Sequence, residues 1–191
     1  VICGSMFSGK TEELIRRIRR AQIAKLSVIV FKPIIDSRYS KTEIVSHNND
    51  KINSSPIAKS TEMIQSSNGY DVIGIDEAQF FDKEIVETCR TLARKGKRVI
   101  IAGLDKDYKG EPFGFIPNLM CEADYLLKLR AICVICGNFA SYTKRTTNET
   151  KQVVIGELNK YEARCRNCYG LECVICKTCF PERKKKIKTK K

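Results

Sequence analysis

The sequence predicts an α/β protein: a mostly parallel sheet with helices on both faces, carrying a small cysteine-rich module towards its C-terminal end. Three observations lead there. Strand-like apolar runs alternate with segments of helical period through residues 1–129, the pattern of successive β-α-β units. Those runs are continuously apolar rather than alternating, as burial on both sheet faces requires. Finally, Gly4-Ser5-Met6-Phe7-Ser8-Gly9-Lys10-Thr11 completes a G-x-x-x-x-G-K-[ST] loop between a short apolar stretch and a strongly helical one, the context in which backbone N–H groups close on phosphates. The expected architecture is therefore that of the P-loop NTPases.

Each element has its own local reason. Val1-Ile2-Cys3 reads as the end of a strand; with only three residues before Gly4 it is shorter than the usual ~5–6, so a few further N-terminal residues are expected. Residues 12–25 carry Leu14, Ile15, Ile18, Ala21 and Ile23 near helical spacing. Ser27-Val28-Ile29-Val30-Phe31 is a buried strand ended by Lys32-Pro33, and the polar residues 36–55 read as a long surface loop. A short helix over 60–65 would be capped by Ser60 or Thr61. The run from Asp71 to Glu77 is a strand closing on two acids, followed by a helix over 82–95, a central strand over 98–103, and a loop over 104–117 rich in Gly, Pro and aromatics. A helix over 116–122 and a strand over 125–131 complete the sheet.

Composition narrows the class. The 191 residues, 42% hydrophobic, suit one ordinary core with a small appendage. No apolar run approaches the ~18 residues of a membrane helix and no signal-peptide pattern opens the chain, so a cytoplasmic protein without membrane contacts is expected. Of the net charge of +13, seven units come from Lys and Arg in residues 183–191; a solvated, flexible tail explains them better than a nucleic-acid patch. Seven of the ten cysteines crowd into residues 133–179, which in a cytoplasmic setting argues for metal rather than disulfides. The one histidine, His47, lies in a polar loop, so a histidine base is not expected.

The residues able to do chemistry follow from these placements. Lys10 would reach the β- and γ-phosphates of a nucleotide and Thr11 would ligate Mg²⁺, with Asp76 supporting the same ion from the end of its strand. Adjacent strand-end side chains diverge, leaving Glu77 free to face a second substrate as a general base. In an ATPase the same residue would polarise water. Cys133-Val-Ile-Cys136 and Cys165-Arg-Asn-Cys168, 28 residues apart, suit a structural Cys₄ zinc site with no open position. Cys173, Cys176 and Cys179 offer competing pairs, but the first two are favoured.

In order along the chain, Gly4 to Thr11 with Glu13-Leu-Ile-Arg-Arg17, Asp36-Ser-Arg-Tyr-Ser40, Ile73-Gly-Ile-Asp-Glu-Ala-Gln-Phe-Phe81, Pro112-Phe-Gly114, Tyr142-Thr-Lys-Arg145 and Val154-Ile-Gly156 with Tyr161 resemble the type II, zinc-containing thymidine kinases. The resemblance spans residues 1–169, although Ser5 stands where proline is usual. It implies transfer of the γ-phosphate of ATP to the 5′-hydroxyl of thymidine, with Glu77 as base, Lys10 as phosphate clamp, and Thr11 and Asp76 as magnesium support. Gly4, Ser5, Met6, Phe7, Ser8 and Gly9 would complete the nucleotide loop. Arg38, with Asp36 beside it, would neutralise charge near the reacting oxygen, and Met6, Phe80, Leu104, Tyr108, Phe113 and Thr143 would wall the thymine pocket. Residues 151–161 resemble the family's lasso, which closes over the nucleoside through Val154, Gly156 and Tyr161. The zinc ion would pin both ends of that loop, reducing the entropy cost of closing it. A homotetramer and feedback inhibition by dTTP are implied in the same way.

The resulting division is a nucleotide-binding domain over 1–129, a zinc-bound lid and lasso over 130–170, and a basic, cysteine-containing tail over 171–191. The rival reading is a nucleic-acid-dependent P-loop ATPase with a zinc ribbon, favoured by charge and cysteines but lacking any helicase or recombinase motif. A non-catalytic zinc module would leave Lys10, Thr11 and Asp76 without a purpose.

Overall fold

A computed structural model describes residues 1–35, 43–45, 51–147 and 160–170. Its centre is a six-stranded sheet built from β1 (Ile2–Gly4), β2 (Val28–Pro33), β5 (Ser55–Ile57), β6 (Val72–Ile75), β7 (Arg98–Leu104) and β8 (Leu127–Leu129). The order is β5-β2-β6-β7-β1-β8, and every neighbouring pair is parallel. All six strands therefore end at one edge, where ligands of open α/β sheets bind.

Burial explains the continuous apolar strands. On one face Val30, Val72, Ile100 and Ala102 join Leu14, Ile15, Ile18 and Ala21 of α1 (Lys10–Ile23). On the other, Phe31, Ile73, Ile75 and Ile101 join Met63 of α2 (Glu62–Ser66), Ile85 and Leu92 of α3 (Ile85–Arg94), and Ile116 and Leu119 of α4 (Ile116–Glu122). Neighbours such as Val30 and Phe31, or Ile100 and Ile101, thus serve opposite cores. Each such fully buried side chain stabilises the fold by roughly 1.5–3 kcal/mol.

Four local expectations change. α1 begins at Lys10, two residues earlier than its apolar period suggests, because Gly9 in the left-handed region (φ 83°) turns the phosphate loop directly into the first helical turn. Within the span 36–55, expected as a long surface loop, the described residues are largely strand. β3 (Glu43–Val45) and β4 (Lys51–Asn53) make an antiparallel hairpin in which Ile44 opposes Ile52, burying Ile44 beneath α1's core, and β5 then extends the sheet. Isolated isoleucines in a polar stretch carry too little period to predict this. Of the two expected caps of α2, Thr61 stands at the N-cap position without a side-chain cap bond, while the Ser60 hydroxyl and N–H both go to Asp82, tying α2 to the start of α3. Finally β8 stops at Leu129 rather than 131, since Ala131 is buried in a separate cluster with Cys133, Cys136, Ala140, Ala163 and Cys165.

That cluster is the core of a small module: β9 (Ala131–Ile132) pairs with β10 (Phe139–Ala140), β11 (Tyr142–Arg145) with β12 (Tyr161–Arg164), and α5 (Arg166–Gly170) follows.

Candidate active site

The sheet order places three strand ends side by side: β1 with Gly4, β7 with Leu104, and β6 leading into Asp76 and Glu77. At Gly4 (φ 148°) an added Cβ would lie 2.3 Å from the Leu129 carbonyl oxygen, so only glycine lets the loop leave β1 here. Within the loop, Lys10 Nζ and Ser8 Oγ each donate to the Ser5 carbonyl at 2.8 Å. Thr11 Oγ1 donates to Asp76 Oδ2 at 3.2 Å. Two oxygens at that spacing fit adjacent corners of a Mg²⁺ octahedron, which at ~2.1 Å from the ion lie about 3 Å apart.

Glu77 diverges from Asp76 by backbone strain rather than by simple strand alternation. Its φ of 49° is left-handed, unusual for a long non-glycine side chain. It turns the chain from β6 into a 3₁₀ turn over Ala78–Phe80. Asp76 Oδ1 accepts the Glu77 N–H at 3.0 Å, bracing the bend. The Glu77 carboxylate accepts a hydrogen bond from Gln79 Nε2, while Gln79 Oε1 accepts the Leu104 N–H at 2.9 Å.

The pocket residues expected from the sequence gather in part around this edge. Phe80 and Phe113 meet edge to face with centroids 5.6 Å apart. Tyr108 lies under the Arg145 guanidinium at 3.6 Å, and the same buried Arg145 donates to the Tyr161 hydroxyl at 2.8 Å. Thr143 Oγ1 accepts the Met6 N–H at 3.0 Å, and Ser5 Oγ donates to the Ala140 carbonyl at 3.3 Å, so the small module sits on the phosphate loop. Phe7 packs against the cysteine cluster. Asp36, Arg38, His47, Val154, Gly156, Cys173, Cys176 and Cys179 lie outside the described residues.

Cys133, Cys136, Cys165 and Cys168 hold their sulfurs within 4.8 Å of one another, Cys136 and Cys165 at 3.6 Å. Tetrahedral zinc thiolates, with Zn–S of ~2.3 Å, stand about 3.8 Å apart, so the four fit one such ion. Burial alone would raise the Cys133 thiol, but backbone N–H donors from Cys165, Cys136 and Ile135 bring it down to about 7. Cys136 and Cys168 are pushed up, chiefly by burial. An ion demanding thiolates would therefore displace protons on binding.

Several organising residues escaped the sequence reading. Gln79, Arg145 and Tyr169 act through side-chain contacts that no spacing rule encodes; Gln79 and Arg145 could have been found only by asking what else in their motifs was polar. Asp105, buried after β7, pairs with Lys128 of β8 at 2.7 Å across the intervening β1, a contact that only the strand order creates.

The thymidine kinase family model matches residues 1–169. The thymidine kinase of Bacteroides thetaiotaomicron is 55% identical over 169 residues, covering 88% of this chain and 85% of the relative. Those of Rhodothermus sp. and Porphyromonas gingivalis are each 53% identical over the same length, covering 88% of this chain and 79% and 83% of their own. Among the described residues no helix is long and apolar enough to cross a membrane.

Proposed function

This chain belongs to the thymidine kinase family, and we propose that it transfers the γ-phosphate of ATP to the 5′-hydroxyl of thymidine, giving dTMP and ADP. The observation that carries the reading is the split at the end of β6. Asp76 engages Thr11 of the phosphate loop, while the strained backbone of Glu77 turns the neighbouring carboxylate into the 3₁₀ turn that bears Phe80. One acid is thereby committed to the nucleotide and the other left for the acceptor alcohol.

In the reaction, Lys10 and the loop N–H groups hold the triphosphate, and Thr11 and Asp76 would hold its magnesium. Magnesium, when bound, offsets negative charge on the phosphates. Glu77 accepts the 5′-hydroxyl proton as that oxygen bonds to the γ-phosphorus and the bond to the β-γ bridging oxygen breaks, releasing ADP. Arg38 lowers the cost of charge near the reacting oxygen, with Asp36 beside it. Met6, Phe80, Leu104, Tyr108, Phe113 and Thr143 enclose the base, and Val154, Gly156 and Tyr161 close over it. Closure excludes water, favouring the sugar over hydrolysis as acceptor.

Cys133, Cys136, Cys165 and Cys168 would hold a structural zinc ion, linking the hairpin of β9 and β10 to β12 and α5. Residues 1–129 and 130–170 then act as nucleotide domain and lid; the tail expected over 171–191 lies outside the described residues. A homotetramer inhibited by dTTP and acting in the cytoplasm belongs to the same proposal, supported by the family resemblance.

Incubation with Mg-ATP and a panel of nucleosides, then with DNA, tests the function. Formation of dTMP is the expected outcome. Phosphate release stimulated by DNA without any monophosphate would instead select the nucleic-acid-dependent ATPase. Within the enzyme, Glu77→Gln should lower kcat by about 10²-fold or more with the fold intact; unaltered turnover would remove its role as base.

A further inference from the structure

We infer that Gln79 is the positioning residue that aims the Glu77 carboxylate, binding it to the wall of the nucleoside pocket. The inference rests on Glu77 acting as base. Gln79 is 3% exposed, so each end of its amide needs a partner. The Leu104 N–H can only donate, which obliges Gln79 Oε1 to face it at 2.9 Å. The Nε2 group then points to Glu77 and donates to its Oε2. The orientation of the amide is thus set by chemistry, and the side chain spans from the acid after β6 to the backbone at the end of β7.

Two glycines leave room for this bridge. A Cβ on Gly103 would come within 2.9 Å of Gln79 Oε1 and 2.5 Å of Ile116 Cδ1. One on Gly114 would lie 2.3 Å from the Gln79 carbonyl oxygen. Side chain and backbone of Gln79 are therefore both confined, β7 on one side and the Pro112-Phe113-Gly114 segment on the other. Such confinement matters because Glu77 itself sits on a strained φ of 49°, from which a long carboxylate has several rotamers to choose. A fixed N–H donor selects one of them. Errors of about an ångström in a reacting group cost up to ~10²-fold in rate, so a tether of this kind has measurable consequences.

Gln79→Met keeps the length and volume while removing both hydrogen bonds. The expected result is a fall in kcat of about tenfold, with the KM for ATP within about twofold and a cooperative melt retained. The same substitution placed in Glu77→Gln should cost nothing further, because the group it positions is already gone; this non-additivity is what a merely structural role would not produce. Equal losses in both backgrounds, or no loss in either, would overturn the inference. Gln79→Glu provides a second reading should the methionine variant fail to fold. Once ionised, a carboxylate there still accepts the Leu104 N–H but presents no donor to Glu77, so kcat measured at alkaline pH should fall at least as far; wild-type kcat across the whole pH range would likewise overturn it. Full turnover in Glu77→Gln alone would instead defeat the base assignment, separately from anything Gln79 does.

Discussion

At the scale of single residues, the site depends on backbone conformations that few side chains tolerate. Glu77 and Phe7 adopt left-handed φ values of 49° and 64°, one re-aiming a carboxylate and the other turning a ring onto the cysteine cluster. Gly114 is the sharper case: its φ is +52° and the space its Cβ would need is filled by Gln79 backbone, whereas Gly69 (φ +81°) faces nothing within 4 Å. Gly114→Ala should therefore destabilise by at least about 2 kcal/mol, lowering Tm by roughly 4–8 °C. Gly69→Ala bears only the conformational penalty and should move Tm less. Equal shifts by calorimetry would show that the contact with Gln79 is not confining. None of these geometries was legible in advance. Glu77 could be singled out as an acid at a strand end, but its left-handed turn comes from the chain having to leave β6 between β2 and β7.

Among the elements, α1 joins the phosphate loop to the sheet and carries its own electrostatic support. Glu13 in the first turn bonds Arg16 at 2.6 Å and Arg17 at 2.7 Å, and Arg16 above all lowers its carboxyl to about 2. A carboxyl depressed in the folded state stabilises it above its ordinary value of ~4.3 and loses that contribution as pH falls towards 2. Glu13→Gln should thus lower Tm modestly at neutral pH, and the gap to wild type should narrow below about pH 4. A gap independent of pH would point to packing instead. Helices and central strands were legible here because their periods are long and strong; the hairpin of β3 and β4 was not, since three-residue strands amid polar sequence leave no period to read.

Over the whole molecule, the small module is joined to the nucleotide domain by contacts converging on one loop. Tyr169 follows the zinc-ligand candidate Cys168 and stacks on Tyr142 at 4.6 Å, while its hydroxyl donates to the Tyr108 carbonyl at 2.6 Å. The turn that bears this candidate ligand is thereby attached to a wall of the expected thymine pocket. Tyr169→Phe should raise the KM for thymidine several-fold, leaving the KM for ATP and the zinc content unchanged. Chelation of zinc should raise the same KM and also destabilise the module, read by hydrogen exchange over β9 to β12. An unchanged thymidine KM in both experiments would disconnect the module from the pocket.

What the sequence alone determined is whatever is encoded by neighbours: the phosphate loop with Lys10 and Thr11, the acids 76 and 77 closing a strand, the paired cysteines, and the alternation that makes a parallel sheet. These signals are local because a loop that wraps phosphate, or a knuckle that grips metal, is built from residues a few positions apart. Only the tertiary structure decided that Gln79 spans two strand ends, that Arg145 covers Tyr108, that Asp105 pairs with Lys128, and that the module rests on the phosphate loop through Met6 and Thr143. Those contacts join residues brought together by the order of parallel strands, and that order is set by how two cores are filled on opposite faces of one sheet, which no short stretch of chain contains.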